Sequence, residues 1–302
     1  MDDVEALTAP WRLLVAVAET RHVTRAAELV GLQQPTVSRT LARLQRALGV
    51  PLVVPDGRGI RLTAAGRALA EVAGRALAEL DRGVRTVRDD DAVDTGRVAL
   101  GFLHTLGAAA VPGLVRAFRQ EHPGVRFQLQ QGAAAAVLDQ LTAGEVDLVL
   151  TSPVPDRPGL LADPLVEQPL VVGFPADHPL AVEGPVALSA VADEEFVLFE
   201  PGYGLREAAE ALFAHHGVVP RVAFEGQDSH TLRGLVAAGL GVAVLPSAQR
   251  GTSEAFAGVV ERPLTGPGST RVVGLVRRDE PLPRVAAAFR DVVLARRDLL
   301  LP

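Results

Sequence analysis

The chain contains no cysteine, which excludes disulfides, thiolate metal sites and cysteine nucleophiles together. It has no lysine either: all 30 of its Lys+Arg residues are arginine, a side chain suited to bidentate contacts. No stretch of 18 or more apolar residues is free of charge, so no membrane span is expected. The start, Met1-Asp2-Asp3-Val4-Glu5, is acidic where a secretion signal would be basic, so a cytoplasmic location is expected. Enzyme signatures are missing as well. There is no Walker motif, no Gly-x-Ser-x-Gly and no cluster of carboxylates with histidine. Gly239-Leu240-Gly241 lacks the third glycine of a dinucleotide fingerprint and follows a helical pattern instead of a strand. His215 and His216 are neighbours, about 100° apart on a helix, and cannot share a metal as i, i+4 histidines do. No catalysis and no cofactor are therefore expected. What remains is a 302-residue chain, 48% hydrophobic with a mean hydropathy of +0.23. That length accommodates one small domain and two further lobes of roughly 100 residues each.

The most informative stretch runs from Val23 to Leu62 and reads as a short helix, a tight turn, a second helix and a hairpin. Thr24-Arg25-Ala26-Ala27-Glu28-Leu29-Val30 forms the first helix. Ala27 is small enough for another helix to cross closely, and Leu29 and Val30 are expected to face a core. Gly31 closes the helix in a left-handed conformation and makes the sharp turn of a helix-turn-helix. The second helix spans about Gln34 to Leu48, with Pro35 in the first turn, where its missing N–H costs nothing. Val37, Leu41, Leu44 and Leu48 form its buried stripe. Gln34, Thr36, Ser38, Arg39 and Arg43 remain on other faces. Laid in a major groove, Gln can pair with adenine, a Thr methyl can touch thymine, and Ser and Arg can bind phosphate. Pro51 to Val54 and Ile60 to Thr63 flank a Gly-rich tip, a wing whose Arg58 and Arg61 reach toward a backbone.

A helical hairpin with solvated arginines is the plainer reading, and the charge distribution weighs against it. Between residues 21 and 61 seven arginines face only Glu28 and Asp56, a formal charge of +5; with −6 on the whole chain, everything else carries −11. A basic island on an acidic protein points to a polyanionic partner, double-stranded DNA, for that island alone.

Residues 11 to 66 resemble the winged helix-turn-helix of LysR-type transcriptional regulators. The resemblance lies in Ala26-Ala27-Glu28-Leu29, Gln34-Pro35-Thr36-Val37-Ser38-Arg39, Leu41-x-x-Leu44-x-x-x-Leu48-Gly49-Val50-Pro51-Leu52 and Gly57-Arg58-Gly59-Ile60-Arg61-Leu62-Thr63-x-x-Gly66. It implies that Gln34, Pro35 and Thr36 approach base edges and that Ser38 and Arg39 lie near the backbone; Thr24, opening the first helix, joins the DNA-binding set. Two departures stand out. Gln33 replaces the usual Ser or Thr cap, a loss of about 1 kcal/mol, and Val53-Val54-Pro55 replaces the usual Phe and basic residue of the wing.

Residues 9 to 20 form a preceding helix with Trp11, Leu14, Val15 and Ala18 on one face, Trp11 in the core. From Thr63 a long helix continues to about Arg88, with Leu62, Leu69, Ala73, Ala76, Leu80, Val84 and Val87 along one seam spaced like a coiled-coil heptad. That seam suits dimerisation, although it could pack on its own body. The acidic run 89–96 reads as a hinge. Beyond Arg97, β-type runs alternate with helical stretches, giving a largely parallel sheet flanked by helices. The family resemblance extends over nearly the whole chain, with Gly144-Glu145-Val146-Asp147-Leu148 and Val236 to Pro246 as weaker motifs. It implies an α/β protein: an all-α winged helix-turn-helix at 1–63, a linker helix and hinge at 64–96, and a two-lobed, periplasmic-binding-protein-like effector domain at 97–302. Lobe I would comprise 97–164 plus 268–302, with the last strand and helix returning to complete it, and lobe II 165–267.

Ligands of open α/β sheets sit beyond the carboxyl ends of strands, where helix N-termini present N–H groups. Four segments qualify: His104-Thr105, Gln131-Gly132, Tyr203-Gly204 and Gln227-Asp228. Thr105 corresponds to an effector-touching hydroxyl in many relatives and could equally cap a helix. Tyr203 could hydrogen-bond a ligand or cover the cleft mouth, and Arg206 could pair with a ligand carboxylate or with the protein's own acids. Ala133 stands where relatives often carry a hydroxyl. The expectation is a regulator that acts as a dimer or dimer of dimers, senses a small molecule, possibly a carboxylate, through lobe closure, and contacts RNA polymerase. An alternative is a regulator with an empty cleft, controlled by protein partners or oligomerisation.

Overall fold

The computed structural model describes residues 2–57, 59–88, 96–247 and 258–301. The chain divides into two compact units, one of Met1–Val87 with Ala143–Glu145 and one of Arg88–Thr142 with Val146–Pro302.

The first unit comprises α1 (Asp2–Thr20), α2 (Val23–Leu29), α3 (Gln34–Leu48), the hairpin strands β1 (Val53–Asp56) and β2 (Gly59–Leu62), and α4 (Ala64–Arg88). Its core joins Leu13, Leu14 and Val17 of α1, Ala26 and Ala27 of α2, Val37 and Leu41 of α3, and Leu52, Leu62 and Ala70. The two alanines let the helices cross closely. Gly31 adopts φ +68 and Gly49 φ +70, so each helix of the pair ends in a left-handed residue that side chains rarely adopt. α4 begins with a cap: the Thr63 hydroxyl accepts from Gly66 N at 3.0 Å and donates to Pro51 O at 2.7 Å.

Three apolar residues depart from expectation. Leu29 is 61% exposed, because Ala26, Ala27 and Val30 make the contact line of α2 and Leu29 falls outside it at the helix end. Leu48, at the last turn of α3, is 43% exposed. Trp11 is half-buried at the edge of a groove instead of in the core: α1 packs against both α2 and α3, so its buried face centres on Leu13, Leu14 and Val17.

The second unit holds β3 (Arg97–Leu103), α5 (Ala110–Glu121), β4 (Arg126–Gly132), α6 (Ala134–Thr142), β5 (Leu148–Thr151), β6 (Leu160–Pro175), β7 (Val186–Ala187), β8 (Glu195–Phe199), α7 (Gly204–His216), β9 (Arg221–Gly226), α8 (Ser229–Ala237), β10 (Ala243–Pro246), β11 (Val259–Thr265), β12 (Thr270–Arg278) and α9 (Arg284–Ala295). The sheet order is β4-β3-β5-β12-β6-β11-β7, with β10 also paired to β6. β4, β3 and β5 are parallel, whereas β12, β10 and β11 pair antiparallel, so the sheet is mixed. The reversal arises because β12 returns late in the chain to fill the gap between β5 and β6.

β6 is central to the architecture. Its first part pairs with β12 from Leu160↔Arg278 to Pro169↔Thr270, and from Leu170 onward it pairs with β10 and β11. Two separate cores lie along it. One combines Val98, Leu100 and Phe102 with α5 and α9 residues such as Leu114, Phe118, Val285 and Phe289; α6 covers the opposite sheet face through Val137, Leu138 and Leu141. The other gathers Leu170, Val172 and Phe174 with Phe196, Val197, Leu205, Phe213, Leu232 and Val236.

Candidate functional site

In the first unit, α3 presents its N-terminal turns outward while Val37 and Leu41 hold the other face in the core. Gln34, Pro35, Arg39 and Arg43 are exposed, Thr36 and Ser38 are half-buried, and Thr24 is exposed at the start of α2. No side chain caps α3 at Gln33, in line with the missing Ser or Thr. Gln34 Nε2 donates to Ser38 Oγ at 3.2 Å and Arg39 Nε to Pro35 O at 3.2 Å, which steadies both long side chains along one face. The wing is fixed at its root: Gln45 Oε1 accepts from Leu52 N at 2.8 Å and Val53 N at 3.2 Å, and Ile60 N donates to Arg21 O at 3.2 Å. Gln45 is an organising residue that reads in the sequence as one more polar helix position. Arg61 is exposed, 4.0 Å from Asp56, a separation at which an exposed pair contributes little. Arg58 and the hinge residues 89–95 lie outside the described residues.

In the second unit a cleft lies between the two cores. Its lining includes Leu103, His104, Thr105, Gly132, Ala133, Ala134, Phe199, Tyr203, Gly204, Leu205, Gln227 and Arg271. Six expected residues thus come together: His104, Thr105, Gly132, Tyr203, Gly204 and Gln227. Gln131, Arg206 and Asp228 are not among the lining residues.

The reasons are local. Asp228 caps α8, accepting from His230 N and Thr231 N, both at 2.9 Å, and from Thr231 Oγ1 at 2.6 Å. Burial works against its charge, but the Thr231 and His230 hydrogen bonds outweigh it and hold the carboxyl below its ordinary pKa. Arg206 is occupied by its own neighbours: Nη1 reaches Glu225 at 2.5 Å and Phe199 O at 2.9 Å, and Nε reaches Glu210 at 2.6 Å. The Glu225 hydrogen bond is the main cause of its raised pKa, with Glu210 adding to it against desolvation. Gln131 turns its amide toward His104 O at 3.5 Å. Thr105 does not cap a helix; it sits in a 3-10 turn, His104–Leu106, and its hydroxyl accepts from Arg271 Nη2 at 2.9 Å.

Besides the apolar Leu103, Ala134, Phe199 and Leu205, the cleft holds one charged residue that the sequence reading does not point to, Arg271. It is 5% exposed, and Nε and Nη2 both donate to Gln168 Oε1, at 2.8 and 2.6 Å. Burial pushes its pKa down to about 9, which leaves it charged at neutral pH. Arg271, Val273 and Leu275 share one face of β12 and Val272 is exposed, but Val272 and Val276 are as apolar as Val273 and Leu275, so no alternation in the sequence sets the arginine on an inward face.

With this geometry established, comparison with known proteins is direct. Residues 10–67 match the family described as bacterial regulatory helix-turn-helix protein, lysR family, and residues 91–298 match the LysR substrate binding domain. The HTH-type transcriptional regulator YybE of Bacillus subtilis, itself described as uncharacterized, is 35% identical over 92% of this chain and 95% of its own. The crystal structure of CbnR, a LysR family transcriptional regulator, superimposes with a TM-score of 0.76 at 23% identity, covering 96% of this chain and 98% of that one. The effector-binding domain of QuiR in complex with shikimate gives 0.63 at 28% identity over 68% of this chain and 98% of its own. The chain belongs to the LysR family of transcriptional regulators. It combines a helix-turn-helix DNA-binding region with an effector-binding region, and no described helix is long and apolar enough to cross a membrane.

Proposed function

We propose that the protein reads double-stranded DNA through the N-terminal turns of α3 and adjusts transcription in response to a small molecule bound in the cleft of its second unit. The observation that carries the DNA reading is the outward face of α3, where Gln34, Thr36, Ser38 and Arg39 stand opposite the buried Val37 and Leu41. Gln34, Pro35 and Thr36 meet base edges. Ser38, Arg39, Arg43, Thr24, Arg58 and Arg61 serve the phosphate backbone. The working division is 1–63 for DNA binding, 64–96 for linkage and 97–302 for effector sensing; the separate cores on either side of the cleft support lobes at 97–164 plus 268–302 and at 165–267.

Two substitutions test the assignment in different currencies. Thr36→Ala changes preference at one half-site position by about 1–3 kcal/mol and leaves the salt dependence alone. Arg39→Ala weakens binding to all sequences alike and lowers the slope of log K against log salt by about 1. Both are measured by titrating operator and scrambled duplexes at several salt concentrations, and a sequence-selective loss for Arg39→Ala would overturn its phosphate role.

Self-association through α4 forms part of the proposal, as a dimer or dimer of dimers that spaces readers on successive DNA turns. A groove of about 240 Å³ runs between Trp11 and the α4 residues Leu69, Val72, Ala73, Ala76, Leu77 and Leu80. Val72, Leu80 and Val84 are exposed there or beside it, an apolar seam of the kind a second helix covers. Contact with RNA polymerase would convert DNA binding into regulation.

For the cleft, QuiR offers a parallel in that its effector-binding domain is seen with shikimate, a carboxylic acid. One observation favours the alternative of an empty cleft governed by protein partners: the cavity volume is only about 20 Å³, room for about one water. A metabolite must therefore open the lobes to enter.

A further inference from the structure

We propose that Arg21 is a further DNA contact: from the corner between α1 and α2, beside the wing, its guanidinium binds a backbone phosphate, and the protein holds it there in a backbone conformation that glycine would adopt with less strain. This rests on the reading of α3 as the DNA-reading helix and adds a contact outside it.

Only Arg21 and His22 join α1 to α2. The Arg21 N–H donates to Val17 O at 3.0 Å, the bond that closes a helix through a left-handed residue. Its φ is +51, and every other positive φ among the described residues belongs to glycine. A Cβ strains that conformation, and the surroundings impose it. His22 N donates to Thr20 Oγ1 at 3.4 Å, Thr24 N to His22 Nδ1 at 3.3 Å, and Ile60 N of the wing to Arg21 O at 3.2 Å. The wing passes so close that a Cβ at Gly59 would lie 3.0 Å from Arg21 O. Every one of these bonds uses the backbone of residue 21 and none uses its side chain. The fold of the corner therefore calls for glycine and gives no reason for arginine.

The side chain gives one. Arg21 is exposed, and its guanidinium has no acceptor among the described residues. Arginines of the second unit are drawn to carboxylates, as Arg206 is to Glu225, Arg233 to Glu261 and Arg290 to Asp163. Glu19, two residues before Arg21, makes no such pair with it. Arg21 stands instead between two elements that approach the duplex backbone, the start of α2 at the exposed Thr24 and the first residues of β2. An unpaired cation inside a basic island is repelled by its neighbours, and a phosphate oxyanion relieves that repulsion with charge-assisted hydrogen bonds. A contact of this kind fixes position on the duplex without reading its sequence.

The test uses the full chain, random-sequence duplexes and an operator duplex selected from them by the wild type, titrated at several salt concentrations beside thermal midpoints. Arg21→Gly should raise the midpoint by about 4 °C, because the left-handed strain is released. The same variant should bind both duplexes about tenfold more weakly and lower the slope of log K against log salt by about 1 for each chain on the DNA. Greater stability with weaker binding is the opposite of what a purely structural corner predicts. Arg21→Ala keeps the strain and loses the charge, so it should bind as weakly as the glycine variant without the gain in midpoint. Arg21→Lys should restore the slope, and failure to do so overturns the contact. Wild-type affinity and slope in Arg21→Gly, alongside a loss in Arg39→Ala, overturn the contact and leave the α3 reading intact. Weaker binding at an unchanged slope also overturns it, and an unchanged or lower midpoint overturns the strain. If the wild type selects and binds no duplex, both readings fall.

Discussion

Gly66→Ala is expected to abolish operator binding by unseating the wing. A Cβ built at Gly66 lies 2.0 Å from Leu52 O and 2.9 Å from Leu52 C, both backbone atoms. Leu52 cannot step aside, because its N–H is held by Gln45 at 2.8 Å and its carbonyl accepts from Thr63 N at 2.9 Å. Those bonds join α3, the hairpin and the start of α4 at one point. Overpacking against backbone should cost about 3 kcal/mol or more, lowering the melting midpoint of a unit this size by more than about 10 °C. Circular dichroism on heating and a duplex titration measure the two effects. A midpoint within a few degrees of wild type would mean that the junction yields more easily than its bonding implies.

Gly204→Ala should have the second largest effect, confined to the other unit. Its Cβ would meet Ser152 O at 2.2 Å and Pro153 Cδ at 3.0 Å, where the first turn of α7 presses on the segment following β5. The added methyl must push α7 away from Ser152, and the cleft wall formed by Tyr203, Gly204 and Leu205 moves with it. A loss of about 3 kcal/mol corresponds to roughly 6–12 °C in a unit of this size, and any small molecule that raises the wild-type midpoint should no longer do so. Duplex binding should survive at temperatures where the chain remains folded. Retained ligand stabilisation would show that the N-terminus of α7 is not part of the site.

The DNA-binding unit was legible because its signals are local. Gly31 and Gly49, both at positive φ, bracket α3, Pro35 sits where a helix begins, and the buried Val37 and Leu41 fix which side faces out. Apolar character alone was a weaker guide at helix ends, as Leu29 and Leu48 show, since nothing in a sequence tells which neighbour reaches the last turn. The cleft was half legible. Strand ends located His104, Thr105, Gly132, Tyr203 and Gly204, but no local pattern reveals that Arg206 satisfies itself with Glu210 and Glu225, or that Asp228 is spent as a cap. Arg271 is hidden for a related reason: its partners, Gln168 and Thr105, are 103 and 166 residues away, and the uniformly apolar run from Val272 to Val276 shows no alternation that marks it as inward-facing.

The handover of β6 from β12 to β10 and β11 has a mechanical consequence. At that handover stands Pro169, which has no N–H to give to either ladder; the adjoining bonds are Leu170 N to Ser269 O at 2.8 Å and Ser247 N to Pro169 O at 3.1 Å. A strand bonded to neighbours along its whole length cannot swing about a single residue, so separation of the two cores is borne as torsion spread along the ribbon, softest at the imino acid. The ribbon thus resists separation of the two cores through twist shared among its residues instead of bending at one point.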